Sequence, residues 1–291
     1  MSSGGGPETS RSEIPKFEED GHFGSPIVDV ASLEARKAQL WPALPRRSGV
    51  DYRESAQHEL FLKLAPLIRD MGSDAAWPKA VIENAWFGAY DAIIYVGMLR
   101  WLRPARLIEI GAGYSTRVAL EVRARYLGGE LPKITCIEPY PQRIGGLGDA
   151  IELIERPVWD VDPSIVDALG PNDIFFVDAS HVSKTGSDTH TIYFELLPRL
   201  SAGVYVHVHD IFLPFEYPYA WVVEEGHHWN EQYLLEALLT DSTRYEVVFG
   251  NAFFGKFHAP EMRRELGLRP TDNPSGGSFW IRVREGTTPR R

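Results

Sequence analysis

Seven short apolar runs, separated by stretches with helical spacing or turn residues, constrain the fold of this chain more than any other feature. They are Arg106 to Ile110, Lys133 to Ile137, Ile151 to Ile154, Asp173 to Val177, Gly203 to Val208, Tyr245 to Phe249 and Ser278 to Val283. Runs of this length read as strands. Helical spacing fits between several of them, at Ser115 to Tyr126, Ser164 to Leu169, Ser187 to Leu200 and Asn230 to Thr240. Strands alternating with helices predict an α/β fold, a doubly wound and mostly parallel seven-stranded sheet covered on both faces. The last two runs are joined by residues 250–277, which carry Gly and Pro without a convincing long helix, so they are expected to pair as an antiparallel edge.

Two helices are expected before the sheet. His58, Leu60, Phe61, Leu64, Leu67 and Ile68 recur at helical spacing between Ser55 and Met71. A second, apolar on most sides, should start near Trp77-Pro78, where proline suits a first turn, and end before Arg103-Pro104. The expected organisation is a flexible segment over residues 1–20, a helical extension over 21–103 and a ligand-binding domain over 104–291. Thirty Lys and Arg against forty Asp and Glu leave a net charge of −10, which disfavours nucleic acid and membrane surfaces as partners. The single cysteine, Cys136, cannot form an internal disulfide, no apolar run is long enough to cross a bilayer, and cytoplasmic residence is the expectation.

The first strand run stops at Gly111-Ala112-Gly113, and helical spacing follows at once. Such a turn at the carboxyl end of a parallel strand lets backbone approach a ligand and offers unpaired N–H donors. A dinucleotide fingerprint would want a further small residue where this chain has Thr116, and the P-loop lysine is absent, so the turn suits a ligand without a pyrophosphate. The next strand run ends at Glu138, whose carboxylate can accept both hydroxyls of a ribose.

In IEIGAGYST and CIEP, and in the run NAWFGAYDAIIYVGMLRWLRPARLIEIGAGYST that leads into the turn, the sequence resembles the class I S-adenosylmethionine-dependent methyltransferases of small-molecule type. The resemblance covers roughly residues 104 to 284 and implies their Rossmann-like sheet with an antiparallel last strand. It further implies that Glu109, Gly111, Gly113, Tyr114 and Ser115 line the methionine end of the cofactor, with Glu138 at the ribose and Asp160 near the adenine.

Six of the nine histidines (His181, His190, His207, His209, His227 and His228) crowd into one sixth of the chain, beside Asp178 and Asp210 at two neighbouring strand ends. Two adjacent carboxylates repel unless a proton or cation lies between them, and a divalent metal is the simplest occupant. Asp178 and Asp210 alone suit Mg²⁺ or Ca²⁺, whereas His209 as third ligand tilts the site toward Mn²⁺, Fe²⁺ or Zn²⁺. The spacing resembles that of metal-dependent catechol-type and macrolide-sugar O-methyltransferases, with His209 where those carry a further acidic ligand. His181 stands where the catechol-type enzymes carry a lysine base, and imidazole can take a hydroxyl proton at neutral pH. His207 reads as a core histidine, and His190, His227 and His228 as packed or surface residues.

The expected activity is methyl transfer from S-adenosylmethionine to a hydroxyl, or less readily an amine, of a small metabolite, assisted by Mg, Mn or Fe. Tyr90, Asp91, Phe212, Tyr217, Trp221 and residues 229–233 are candidates for the acceptor pocket, with simple packing as the competing reading. Aromatics between Trp77 and Trp101 serve a homodimer contact as readily as a pocket roof. The rivals are an iron oxidase or oxygenase built on His181, His209 and Asp178 or Asp210, and a cofactor-binding protein without turnover.

Overall fold

The computed structural model describes residues 16–45, 48–72, 84 and 86–290. The expected flexible segment over residues 1–20 falls mostly outside them. Two short helices, α1 (Val30–Ala35) and α2 (Lys37–Leu40), precede α3 (Glu54–Gly72) and α4 (Ala89–Leu102). The sheet domain follows as β1 (Arg106–Ile110), α5 (Tyr114–Tyr126), β2 (Lys133–Ile137), β3 (Glu152–Ile154) and β4 (Ile174–Val177). It continues with a helical stretch α6 over residues 188–199, then β5 (Tyr205–Val208), α7 (Glu231–Leu239), β6 (Tyr245–Gly250), α8 (Asn251–Leu266) and β7 (Phe279–Val283).

All seven strand runs are strands of one sheet, in the order β3-β2-β1-β4-β5-β7-β6. β1 to β5 are parallel, and β7 runs antiparallel to both neighbours, inserted between β5 and β6 rather than lying at the edge. Each face carries its own apolar layer. Ile174 and Phe176 of β4 pack with α3, α4, α5 and α8 on one side, and Phe175 and Val177 pack with α6 and α7 on the other. With both faces covered, the central strands need no polar alternation, which is why they read as continuous apolar runs.

Four helix expectations are corrected. Among the described residues the second long helix of the N-terminal region runs from Ala89; the expected start near Trp77 lies outside them, as do residues 77–83 and 85, while Asn84 accepts bonds from the amides of Trp86 and Phe87 in a bend that precedes Ala89. Residues 250–277 do hold a long helix, α8, which Pro260 and a break at His258 (φ −121°, ψ 18°) hide from its pattern. The segment over Ser187 to Leu200 is one turn of α-helix, then π-helix over Thr191–Leu196 and 3₁₀ over Leu197–Arg199, and the one over Ser164 to Leu169 is a 3₁₀ turn over Pro163–Ala168.

Candidate active site

Register decides what meets at the carboxyl edge. Ile110 pairs with Ile137 and Val177, and Val177 with Val208, so Gly111, Glu138, Asp178 and His209 leave the sheet side by side. Because β1 lies between β2 and β4, the chain diverges to either side of it and opens a crevice there. The crevice is a cavity of about 550 Å³, with Gly111 to Ser115, Glu138, Tyr140 and Trp159 at one end and Asp178, His181, Asp210 and Trp229 at the other. Trp86 and Phe87, just before α4, also line it.

The glycine turn is fixed from below. Gly111 has φ +78°, and a Cβ there would overlap the carbonyl oxygen of Asp178, so only glycine fits. Glu138 Oε2 accepts from the amide of Ala112 at 3.1 Å and Oε1 from that of Tyr140 at 2.6 Å. Glu109 does not line the cavity. It is fully buried beneath the turn, accepting from the hydroxyls of Ser115 and Thr116 (2.7 Å for Thr116), and Thr116 Oγ1 in turn accepts from the Gly113 amide at 3.0 Å. Burial pushes the Glu109 carboxyl up to about 7. Thr116, the departure from the dinucleotide pattern, thus braces the turn.

At the other end the distances are looser. His181 Nε2 lies 3.4 Å from Asp178 Oδ1 and 3.5 Å from Asp210 Oδ2, while its Nδ1 lies 2.9 Å from Glu231 Oε2. One ligand atom each from Asp178, His181 and Asp210 fall within 4.8 Å of one another. His209 is not in that trio. It stands behind the two aspartates, 3 % exposed, with Nδ1 3.6 Å from Asp178 Oδ1 and 3.5 Å from Asp210 Oδ1, and Nε2 3.5 Å from Asp91 Oδ2. His181 (φ +60°) and Asp210 (φ +55°) both occupy the left-handed region, uncommon for such residues and costly enough to mark a constrained site.

Electrostatics follow from this crowding. Burial by itself would lower His181, but hydrogen bonds and charges from Asp178 and Glu231 raise it to about 10. Burial would raise Asp178, yet His209 and His181 hold it well below the ordinary carboxylate range. Asp210 is raised, burial and the neighbouring carboxylates outweighing the two histidines.

Other expected residues are elsewhere. Asp160 is exposed and does not line the cavity; its neighbour Trp159 does. Phe212, Tyr217 and Trp221 pack among themselves and against Trp229 rather than lining the cavity. His207 is fully buried, bonded to Ser278 Oγ at 2.8 Å and stacked on Phe176. Glu231, within the stretch 229–233 expected at the acceptor pocket, is instead the partner of His181, a pairing hidden because the two lie fifty residues apart and Glu231 reads as the first residue of an ordinary helix. Fully buried, it marks a carboxylate kept for a partner.

Residues 108–211 match a family model described as a methyltransferase domain. An uncharacterized protein of Archaeoglobus fulgidus is 28% identical over 188 residues, covering 60% of this chain and 84% of that protein. Among solved structures, the chain is similar to the SAH-bound methyltransferase PaMTH1 of Podospora anserina (18% identity, 94% of this chain and 99% of that one, TM-score 0.42). It is also similar to an O-methyltransferase from Bacillus cereus in complex with SAH (12% identity, 88% and 97%, TM-score 0.42). Residues 108–211 thus match a methyltransferase domain, and the seven-stranded sheet that contains them has a Rossmann-like methyltransferase fold.

Proposed function

We propose that this methyltransferase acts on a hydroxyl oxygen of a small metabolite, and that a divalent cation held by Asp178, His181 and Asp210 orients that oxygen. One observation carries the reading: the three donor atoms converge in the same cavity whose other end is the glycine turn and Glu138.

The residues suit both groups. A Cβ on Gly113 would meet nothing within 4 Å, so the turn leaves room over its backbone. Glu138 faces the cavity with one backbone amide on each oxygen, leaving acceptor capacity for ribose hydroxyls, and Trp159 offers a flat wall for an adenine. The separations of 3.4 and 3.5 Å at His181 Nε2 are long for hydrogen bonds. They match the spacing of about 3.0 to 3.5 Å between ligand atoms each about 2.1 Å from one ion. His181 bound by Glu231 at its far nitrogen has the carboxylate–histidine arrangement usual behind a metal.

S-adenosylmethionine supplies an electrophilic methyl group on a sulfonium, and the cation supplies Lewis acidity to the acceptor oxygen. The chain's own contribution is placement: Gly111 to Ser115 and Glu138 would hold the cofactor and Asp178, His181 and Asp210 the acceptor within one cavity, and such positioning is worth several kcal/mol of the barrier. His181, expected as the base, is raised to about 10 between three carboxylates, and a cation would take the place of its Nε2 proton, so with or without the cation it has no free nitrogen to accept the hydroxyl proton. Asp210, raised by burial and facing the cavity, is the group left to take the hydroxyl proton. Asp160 has no part in this scheme.

A cation-free variant of the reading is favoured by the same ion pairs, since His181 and His209 already offset the aspartates. Calorimetry with S-adenosylhomocysteine and NAD, followed by transfer of labelled methyl from S-adenosylmethionine to a panel of catechols, phenols and sugars, tests the whole. Binding of the former and not NAD, with transfer lost in excess chelator and restored by Mn²⁺ or Mg²⁺, is expected. Full transfer in chelator would remove the cation, and preference for NAD would remove the reading.

A further inference from the structure

We propose that Asp91 is a positioning residue of this site: acting through His209, it fixes how the Asp178 and Asp210 carboxylates stand at the end of the cavity. The proposal rests on the methyl-transfer reading above and extends the site into the N-terminal helical region.

Asp91 lies in the first turn of α4, buried, and does not line the cavity. Its Oδ1 accepts from Asn251 Nδ2 at 2.7 Å and the Ser278 amide at 2.8 Å, and its Oδ2 from the Gly277 amide at 3.2 Å. One carboxylate thereby joins the start of α4, the start of α8 and the approach to β7. Those three bonds account for its burial. They do not account for what faces it on the remaining side.

That side is His209 Nε2, 3.5 Å from Asp91 Oδ2. Neither ring nitrogen of His209 has a hydrogen-bond partner within the described residues, although the side chain is almost wholly buried. Its polar neighbours are carboxylates: Asp91 behind, Asp178 and Asp210 in front. The ring is otherwise walled by Phe87 at 5.1 Å and by His207, which prescribe a plane but not which edge of the imidazole points forward. Asp91 makes that choice, because Nε2–H directed at its carboxylate turns Nδ1 toward the two aspartates.

The backbone is shaped to permit this. A Cβ at Gly276 would overlap the Asp91 carboxylate, and one at Gly277 would stand 2.9 Å from Asp210 Cα, so only a glycine pair lets the chain pass between the two acids. The Gly277 carbonyl then accepts from the Ile211 amide at 2.8 Å and pins the residue after Asp210. This strand approach holds the Asp210 backbone, while Asp91 reaches the two carboxylates through the imidazole. On the other wall Glu231 orients His181 in the same manner, so each imidazole has its own buried carboxylate behind it.

The test uses chelator-treated full-length protein with S-adenosylhomocysteine present and Mn²⁺ as probe, titrated by electron paramagnetic resonance, in wild type, Asp91→Asn, His209→Gln and the double variant. Asp91→Asn should weaken Mn²⁺ about tenfold to a hundredfold, the range for outer ligand partners, with S-adenosylhomocysteine affinity within about threefold of wild type. The double variant should bind Mn²⁺ no more weakly than His209→Gln alone, because Asp91 acts through that ring. His209→Gln keeps the other three bonds of Asp91, so it probes the link from the far side if Asp91→Asn does not fold. Wild-type Mn²⁺ affinity in Asp91→Asn, additive losses in the double variant, or parallel loss of nucleoside binding would overturn the proposal. If wild type holds no Mn²⁺, the cation leaves the methyl-transfer reading, and the ¹⁵N signals of the His209 ring decide on Asp91. They move in Asp91→Asn if it orients the ring, and their staying in place overturns the proposal.

Discussion

The two ends of the cavity are built by opposite rules. At the glycine turn the carboxylates have short partners: Glu138 takes the amides of Ala112 and Tyr140, and Glu109 takes Ser115 and Thr116. At the histidine end the four groups Asp178, Asp210, His181 and His209 face one another across 3.4 to 3.6 Å, with both His209 nitrogens unbonded. Only the outer partner Glu231 makes a close bond there. A region saturated by its own backbone is ready to receive a ligand without rearranging. A region of buried charged groups held slightly too far apart to bond leaves room for something placed among them.

The largest test of that contrast removes a carboxylate from the open end. Asp178→Ala and Asp210→Ala should each cost methyl transfer about a thousandfold or more, as the several kcal/mol attributed to metal-assisted chemistry implies, while calorimetry finds S-adenosylhomocysteine binding nearly intact. Comparable loss of nucleoside binding would mean that the two ends are one unit. The saturated end is probed through pH. Glu109 binds its proton more tightly folded (about 7) than an ordinary glutamate does (4.5), so its contribution favours folding fully below pH 4.5, declines as pH rises to about 7 and is level above. Denaturant titrations from pH 4.5 to 7.5 should show stability falling by on the order of 3 kcal/mol at most from this group, and Glu109→Gln should flatten that slope. An unchanged slope in the variant would assign the dependence to the histidine end instead.

A smaller effect separates the ends in the other direction. Glu138→Gln should weaken S-adenosylhomocysteine by about ten- to a hundredfold, the worth of charged hydrogen bonds to two hydroxyls, and leave Mn²⁺ affinity as it was. Smallest is Trp159→Ala, for which an exposed aromatic wall predicts a loss of about 0.5 to 1.5 kcal/mol in nucleoside binding, read in the same calorimeter. If Trp159→Ala has no effect, the adenine does not lie against that wall.

Much of this was legible in advance for a local reason. Strand, glycine turn and helix follow one another without interruption from Arg106 to Tyr126, so the period of the apolar residues marks each change directly. Asp178 and Asp210 were legible because each follows a strand, and strand ends in a parallel sheet share an edge. Glu231 and Asp91 were legible only as candidates for the pocket wall; their pairing with His181 and His209 was not, for those partners lie 50 and 118 positions away and nothing in either neighbourhood distinguishes them from a helix-start acid. Helix α8 failed for a different reason: Gly255 is required where the helix crosses the Pro274 backbone, and Pro260 and the break at His258 disrupt the spacing that would reveal it.

The sequence by itself determined the layered α/β architecture, the ligand-binding edge and the residue types gathered there, because periodicity, glycine placement and strand ends are properties of neighbouring residues. Only the tertiary structure decided that His181 completes a three-donor cluster with the two aspartates while His209 stands behind them, that Glu109 sits under the turn instead of in the cavity, and that Trp159 faces the cavity where Asp160 does not. Those distinctions turn on which way a side chain points once the backbone leaves the strand. That direction is set by packing from helices far off in the chain, a long-range constraint that no local pattern encodes.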